Sequence, residues 1–188
     1  MVNVVYGVCT NSLQRLEKYV IPRIGDRSLI VLWNQFSIAE AYNNIIDAVQ
    51  TQAPDLLVLL HDDLELIDPD GERKLLDASR GPDVALVGVA GGRNVSSLAW
   101  WNHETVGHQQ IITQLLDFGP RTGDVAVLEG SILALTPWAY TNLRFDPVVA
   151  GFHGYDEIAL QARHAGKRAV VADVDTTHHT YLGFTSAA

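Results

Sequence analysis

The chain has 188 residues, a formal net charge of −9 and a single cysteine, Cys9. This length is typical of one domain with a full core, and the acidic balance excludes an extended nucleic-acid surface, which would need clustered lysines and arginines. One cysteine excludes an internal disulfide and a cysteine-rich zinc site. Because no apolar run is long enough for a membrane span and Met1 leads into a strand pattern without a basic export signal, we expect a cytoplasmic protein.

Strand and helix patterns alternate in the first third of the chain. A β-rich run (2–9) precedes helical spacing (13–20), a second strand (28–34), a helix (37–52) that opens on the capping-box pattern of Ser37 and Glu40, and a third strand (55–60) that is apolar after Asp55. This alternation predicts an α/β fold with a mainly parallel sheet and helices on both faces. Ligands of such Rossmann-like sheets bind beyond the carboxyl ends of the strands.

The rest of the chain has fewer regular patterns. Residues 83–92 predict a fourth strand, residues 93–110 predict a loop, and residues 123–136 predict a strand interrupted by Glu129 and Gly130. A helix that opens near Asp156 and stops at Gly166 leads into a last strand, which ends near Asp173. We find no repeat or linker, so we expect a single domain over residues 1–188.

The third strand ends in His61, Asp62 and Asp63. Side chains alternate along an extended segment, so His61 and Asp63 should point the same way and Asp62 the other way. An imidazole and a carboxylate on one side suit a first-row divalent cation such as Mn²⁺ better than Ca²⁺. The alternative is a solvated acidic turn, which the preceding buried strand makes less favourable.

Four further features could contribute to a site. Asp156 and Glu157 open a helix, where one could act as a general base or both could simply stabilise the helix dipole. His178 and His179 diverge as neighbours, but either could complete a metal site begun elsewhere. Trp100 and Trp101 could be core residues or an aromatic platform for a sugar. Cys9 is most simply a buried strand residue.

Taken in order, these segments resemble the GT-A nucleotide-sugar transferases, and in particular glycosyltransferase family two and its short glycosyltransferase-like relatives. The resemblance covers nearly the whole chain and rests on these segments: VVYGVCTN, SIAEAYNNIIDAV, DLLVLLHDDLEL, VLEGSILALT, FDPVVAGFHGYDEIALQARHAGKRAVV and THHT. It implies a nucleotide-binding half up to about residue 92 and an acceptor-side half from about residue 93 to residue 188.

The resemblance also implies roles for individual residues. His61, Asp62 and Asp63 occupy the DXD slot, with Asp63 the metal ligand through which a diphosphate is held, and His178 or His179 completes the metal or diphosphate site. Asp156 is the base that deprotonates the acceptor hydroxyl, which implies inversion at the anomeric carbon. The expected contacts to the nucleotide sugar are Thr10, Asn11, Asn34, Asp62 and Trp101.

The implied cofactor is a divalent cation, Mn²⁺ or Mg²⁺, and the implied partners are a nucleoside diphosphate sugar and a small-molecule, glycan or other hydroxyl acceptor. Three positions differ from the family pattern: His61 replaces Asp, Tyr155 replaces Glu and Asn34 replaces Asp. Two alternatives therefore stay open: a GT-A-like module that binds a nucleotide sugar or glycan without turnover, and a metal-dependent phosphohydrolase using His61, Asp62 and His178. A homo-oligomer in which another subunit completes the acceptor site also stays open.

Overall fold

A computed structural model describes residues 2–96, 99–148 and 156–179 of the protein. Seven strands form the larger sheet, in the spatial order β2 (Ser28–Trp33), β1 (Val4–Thr10), β3 (Leu56–His61), β11 (Ile132–Leu135), β5 (Val84–Gly88), β12 (Arg168–Val171) and β9 (Gly123–Val125). All of these strands except β11 and β9 run in the same direction. The prediction of a mainly parallel sheet is confirmed.

Helices cover both faces of this sheet, as predicted. The helices α3 (Ile38–Val49), α5 (Pro137–Asn142) and α6 (Asp156–His164) pack on one face. On the other face lie α4 (Gly71–Ser79) and a helical segment composed of α1 (Leu13–Arg15), a π-helical turn (Leu16–Val20) and α2 (Ile21–Ile24). The apolar run of β3 has both faces covered, because Leu57 and Leu59 contact the first layer while Leu56, Val58 and Leu60 contact the second.

The predicted helix cap at Ser37 is present. The Ser37 hydroxyl accepts a hydrogen bond from the Glu40 backbone N–H at 3.3 Å, which satisfies one of the donors left unpaired at a helix start. The helix then buries Tyr42, Ile45 and Ile46. The local sequence signal and the packing therefore agree on where this helix begins and which face is buried.

A second sheet of six strands was not predicted. Its order is β10 (Val127–Leu128), β6 (Ala90–Gly92), β7 (Thr105–Ile111), β13 (Thr176–His178) and β4 (Leu64–Leu66), and β8 (Gln114–Asp117) pairs with β7. Over the described residues, the chain passes four times from the larger to the smaller sheet, at residues 62–63, 89, 126 and 172–175. We call these four passages the sheet junction.

Three sequence predictions need correction here. Residues 93–110 are not a continuous loop, because they contain a 3-10 turn (Trp100–Asn102) and most of β7. The strand predicted at 83–92 divides at Val89, and the strand predicted at 123–136 divides at Ala126 as well as at the expected interruption. The cause is shared: these strands pair with partners distant in sequence, so a local pattern does not reveal them.

Within the described ranges, we find no helix that is both long enough and apolar enough to cross a membrane.

Candidate functional site

Two histidines and a carboxylate meet at the sheet junction. His61 ends β3, Asp63 follows in the first passage between the sheets, and His178 ends β13 in the smaller sheet. One potential ligand atom from each residue lies within 4.8 Å of the others, and His178 Nε2 is 3.1 Å from Asp63 Oδ1. Two ligands of one six-coordinate cation are separated by about 3 Å when each lies roughly 2.1 Å from the ion, so this cluster has the dimensions of a metal site.

Asp62 points away from this cluster, as the alternation along the chain predicted. Its Oδ2 accepts a hydrogen bond from the Thr10 hydroxyl at 2.5 Å, and its Oδ1 lies 3.4 Å from Arg15 Nη1. The combination of His61, Asp62 and His178 considered for a phosphohydrolase is therefore not brought together. Asp63 takes the place of Asp62 in the cluster.

The neighbouring histidines diverge as well. His178 is 3% exposed and contacts Asp63, whereas the His179 ring stacks on Tyr19 with ring centroids 3.8 Å apart. His179 Nε2 also lies 2.8 Å from Glu65 Oε2. Of the two candidates for completing the site, His178 therefore lies in the cluster with His61 and Asp63, whereas His179 makes other contacts.

Burial and neighbouring charges shift the pKa values of the two clustered histidines in opposite directions. Burial lowers the pKa of His61, although the carboxylate of Glu129 opposes the effect. Burial alone would also lower the pKa of His178, but the hydrogen bond and the charge of Asp63 outweigh it and raise that pKa. A neutral imidazole is the form that binds a cation, and the lowered pKa of His61 favours that form.

A buried polar network supports the cluster, and sequence reasoning did not identify its members as site residues. The Ser131 carbonyl accepts a hydrogen bond from the His61 backbone N–H at 2.9 Å. The Ser131 backbone N–H and hydroxyl both donate to Glu129, and the hydroxyl accepts from Gln109 Nε2 at 2.7 Å. The available signal was a carboxylate, Glu129, inside an otherwise apolar run, and it is 7% exposed.

The residues expected at the nucleotide lie at the ends of neighbouring strands. Thr10 ends β1, Asn11 follows it, and the Asn34 backbone N–H just after β2 donates to the Thr10 carbonyl at 2.9 Å. Asn34 has a φ of 53°, a left-handed conformation that asparagine tolerates better than most residues. Thr10, Asn11 and Asn34 are therefore close together at the same edge as His61.

Trp101 belongs to a different packing cluster. Trp100 is fully buried beside Ala90 and Val127, and Trp101 is partly buried against it, with ring centroids 6.1 Å apart. The adjacent tryptophans thus divide into one core residue and one partly exposed residue. Contact between Trp101 and a sugar stays a prediction.

The acidic pair of the acceptor-side motif is only partly described. Asp156 is the first residue of α6, but its side chain and Tyr155 lie outside the described part of the chain. Glu157 accepts hydrogen bonds from the Asp146 backbone N–H at 2.7 Å and from Gln161 Nε2. Glu157 thus fastens the loop after α5 to α6, which leaves Asp156 as the candidate base.

The donor set of the cluster fits a divalent cation. Two imidazoles and one carboxylate suit a borderline first-row ion such as Mn²⁺ better than Mg²⁺, which prefers oxygen ligands alone. His61, Asp63 and His178 are the residues that would hold it.

Comparisons with known proteins identify the family of the chain and agree with its fold. A family model described as "Glycosyltransferase like family" matches residues 2–183. The streptomycin biosynthesis protein StrF of Streptomyces griseus is 31% identical over 185 residues, a match covering 93% of this chain and 66% of StrF, which is just under two thirds.

Solved structures of glycosyltransferases share the architecture. The mannosyltransferase PcManGT from Pyrobaculum calidifontis, in complex with GDP-Man and Mn²⁺, has a TM-score of 0.62 at 14% identity, covering 97% of this chain and 58% of that one. GalNAc-T7 with UDP, GalNAc and Mn²⁺ has a TM-score of 0.63 at 9% identity, covering 100% and 45%. The fold is that of the GT-A glycosyltransferases, and the chain belongs to the glycosyltransferase-like family.

Proposed function

We propose that the protein transfers a sugar from a nucleoside diphosphate donor to an acceptor hydroxyl, with a divalent cation and with inversion at the anomeric carbon. The observation that carries the proposal is the cluster of His61, Asp63 and His178 at the ligand edge of the larger sheet. The cluster lies in a chain of the glycosyltransferase-like family. Two glycosyltransferases that share the fold of this chain were solved with a nucleotide or nucleotide sugar and Mn²⁺.

The residues of the cluster would hold the cation, which when bound supplies positive charge beside the diphosphate leaving group. His61 and Asp63 are placed by the buried strand β3, and His178 by β13. The Glu129 and Ser131 network fixes the backbone at His61. Such outer contacts keep ligands in position before the substrate arrives.

The nucleotide is proposed to lie over the ends of β1 and β2. Thr10, Asn11 and Asn34 would contact it there, and Asp62 would act by fixing the Thr10 hydroxyl. Hydroxyl and amide groups at the carboxyl ends of parallel strands are well placed for a base or ribose.

Asp156 is proposed as the base. The acceptor oxygen forms a bond to the anomeric carbon while its proton moves to the Asp156 carboxylate. The bond from that carbon to the diphosphate oxygen breaks, and its electron pair leaves with the nucleoside diphosphate. A single displacement of this kind inverts the configuration at the carbon.

Ligand binding gives the first test. Nucleoside diphosphates with Mn²⁺ should raise the melting temperature, by an amount that grows with concentration, because they bind only the folded state. The nucleotide that produces the largest shift is then supplied as its sugar conjugate with a panel of acceptors. No shift with any common nucleoside diphosphate would contradict the proposal, and binding without transfer would favour a binding module.

A pair of variants tests the base. Asp156→Asn should reduce transfer at least about a hundredfold while leaving donor affinity nearly unchanged, because it removes the proton acceptor alone. Glu157→Gln is the matched control: it weakens the contacts to Asp146 and Gln161, so it should lower stability but retain transfer. Full activity in Asp156→Asn would remove this assignment.

A further inference from the structure

A cleft of about 280 Å³ opens beside Asp63, between the helical segment after β1 and the end of the smaller sheet. Its lining consists of Gln14, Arg15, Lys18, Tyr19, Asp63 and His179. Asp63, a residue of the proposed metal cluster, therefore lines one side of the cleft, and Arg15 and Lys18 place two positive charges on another side.

The two cations of this cleft are available to a ligand. Lys18 makes no ion pair within the described residues, and its Nζ lies 4.9 Å from the centre of the Tyr19 ring. Arg15 contacts Asp62 at 3.4 Å, but its side chain is 48% exposed, and such a long, solvated pair is weak. Arg23 on the same segment differs, because Glu65 already binds it.

The wall opposite the cations is fixed in place. His179 stacks on Tyr19, its Nε2 contacts Glu65, and its backbone N–H donates to the Asp63 carbonyl at 2.9 Å. These contacts join the helical segment to the sheet junction. The cleft is thus bounded by groups held by several partners, whereas Lys18 and Arg15 can reach into it.

We propose that this cleft receives the diphosphate of the donor, with Arg15 and Lys18 as its countercharges on the side away from the metal cluster. The inference rests on the proposed function and names the groups that receive the leaving group. A nucleoside diphosphate carries one more negative charge after it leaves the sugar than before. Cations beside it therefore stabilise the departing group more than the bound donor, which is the condition for accelerating the reaction.

The test uses inorganic pyrophosphate, because it requires no knowledge of the base or the sugar. Micromolar pyrophosphate is titrated by calorimetry into the whole protein with Mn²⁺ present, and inorganic phosphate serves as the comparison. The double variant Arg15→Gln and Lys18→Gln should weaken pyrophosphate binding roughly tenfold. The affinity of the wild-type protein for pyrophosphate should fall as the salt concentration rises, and the affinity of the double variant should fall less.

The control removes the same charge elsewhere. Arg73 on α4 and Arg80 just after this helix are exposed and pair with Asp70 and Asp77. Arg73→Gln with Arg80→Gln should therefore change pyrophosphate affinity less than about twofold. Lys18→Gln alone is a second variant that breaks no ion pair in the described part of the chain, and it should reproduce part of the loss of pyrophosphate affinity without changing the melting temperature.

The outcomes separate this inference from the proposed function. Pyrophosphate affinity that is unchanged in the double variant, or lost equally in the control, overturns the inference even if the wild-type protein transfers sugar. Absence of pyrophosphate binding by the wild-type protein overturns it too. A tenfold loss confined to the Arg15 and Lys18 variants supports an anion cleft here, even if no sugar transfer is found.

Discussion

The two sheets place their site residues in different ways. Strands β1, β3 and β5 of the larger sheet are almost wholly apolar and buried, and their site residues come only at or after the carboxyl ends. The smaller sheet buries polar side chains within its strands, among them His108, Gln109 and His178. The larger sheet thus presents its site residues only where a strand ends, whereas the smaller sheet presents His178 at a strand end and also buries polar groups inside a strand, such as Gln109, which donates to Ser131.

The sheet junction is where this difference matters. His61 and Asp63 reach it from the larger sheet, and His178 reaches it from the smaller one, so the cluster forms only if the two sheets keep their relative position. Changes at the junction should therefore affect the site and the stability together. Changes in α3, which supplies none of the proposed site residues, should affect stability alone.

The largest expected effect comes from Gly107 in β7. Gly107 has a φ of 102°, and a Cβ there would lie 2.1 Å from the Val89 carbonyl, at the point where the chain changes sheet. Gly107→Ala should reduce the free energy of unfolding by about 4 kcal/mol, measured by urea denaturation, because both backbone strain and a clash with main chain arise.

Gly25→Ala is the matched control for this change. Gly25 also has a positive φ, 59°, but nothing lies within 4 Å of its Cβ position. Only the backbone strain remains, and because the Gly25 ψ of −133° lies outside the left-handed helical region, the expected loss is about 2 kcal/mol. Equal losses at Gly25 and Gly107 would show that the close approach of the two sheets does not restrict the junction.

The next effect concerns the two adjacent histidines. His178→Gln should lower Mn²⁺ affinity at least about a hundredfold, since loss of a ligand should exceed the 10- to 100-fold effect of losing an outer contact. His179→Gln should lower it only a few-fold, because the His179 ring contacts Tyr19 and Glu65 instead. Calorimetry with Mn²⁺, Mg²⁺ and Fe²⁺ measures both affinity and preference, and Fe²⁺ is included because two histidines and one carboxylate also bind non-haem iron. A larger loss of Mn²⁺ affinity in His179→Gln than in His178→Gln would reverse the assignment of His178 as the metal ligand.

A smaller effect is expected at Asp68, which connects α4 to the passage before β13. Its carboxylate accepts hydrogen bonds from Lys74 Nζ at 2.6 Å and from the Asp70 backbone N–H at 2.9 Å. Burial raises the pKa of Asp68, but these bonds outweigh it and lower that pKa. Asp68→Asn should cost about 2 kcal/mol at pH 7.

The pH dependence of this variant follows from the lowered pKa. The ionised Asp68 stabilises the fold above the unfolded-state pKa of about 4, and this contribution is lost as the pH falls through the folded-state pKa. The stability difference between wild type and Asp68→Asn should therefore narrow in denaturation series carried out below pH ~4. Asp77→Asn on the exposed face of α4 is the control and should cost less than about 0.5 kcal/mol at any of these pH values. If the stability difference between wild type and Asp68→Asn stayed constant with pH, the hydrogen bonds of Asp68 would not depend on its negative charge, contrary to this prediction.

The contrast between the two sheets also explains how much of the fold and of the candidate site the sequence could predict. The ligand edge at His61 and Asp63 was predictable because a buried strand and the alternation of side chains are local properties. Strand β7 was not predictable, because His108 and Gln109 are buried by partners distant in sequence. A strand with buried polar residues does not show the alternation of apolar and polar residues that identifies a half-buried strand. Glu129 was visible only as an interruption, since its proximity to His61 depends on the pairing of β11 with β3.

The smallest effect tests a feature of the larger sheet that was predicted from sequence alone. Ser37→Ala removes the hydroxyl that accepts from the Glu40 backbone N–H and leaves that donor without its cap, so the free energy of unfolding should fall by about 1 kcal/mol. Ser37→Gly is the matched control and should cost only a few tenths of a kcal/mol, because glycine leaves room for water at the helix start. Since α3 packs on the larger sheet and supplies no residue to the cluster, Mn²⁺ affinity should be unchanged in both variants. A loss of metal affinity in Ser37→Ala, measured beside the denaturation curves, would mean that the packing of α3 also controls the metal cluster, and the expectation that this helix contributes to stability alone would then be wrong.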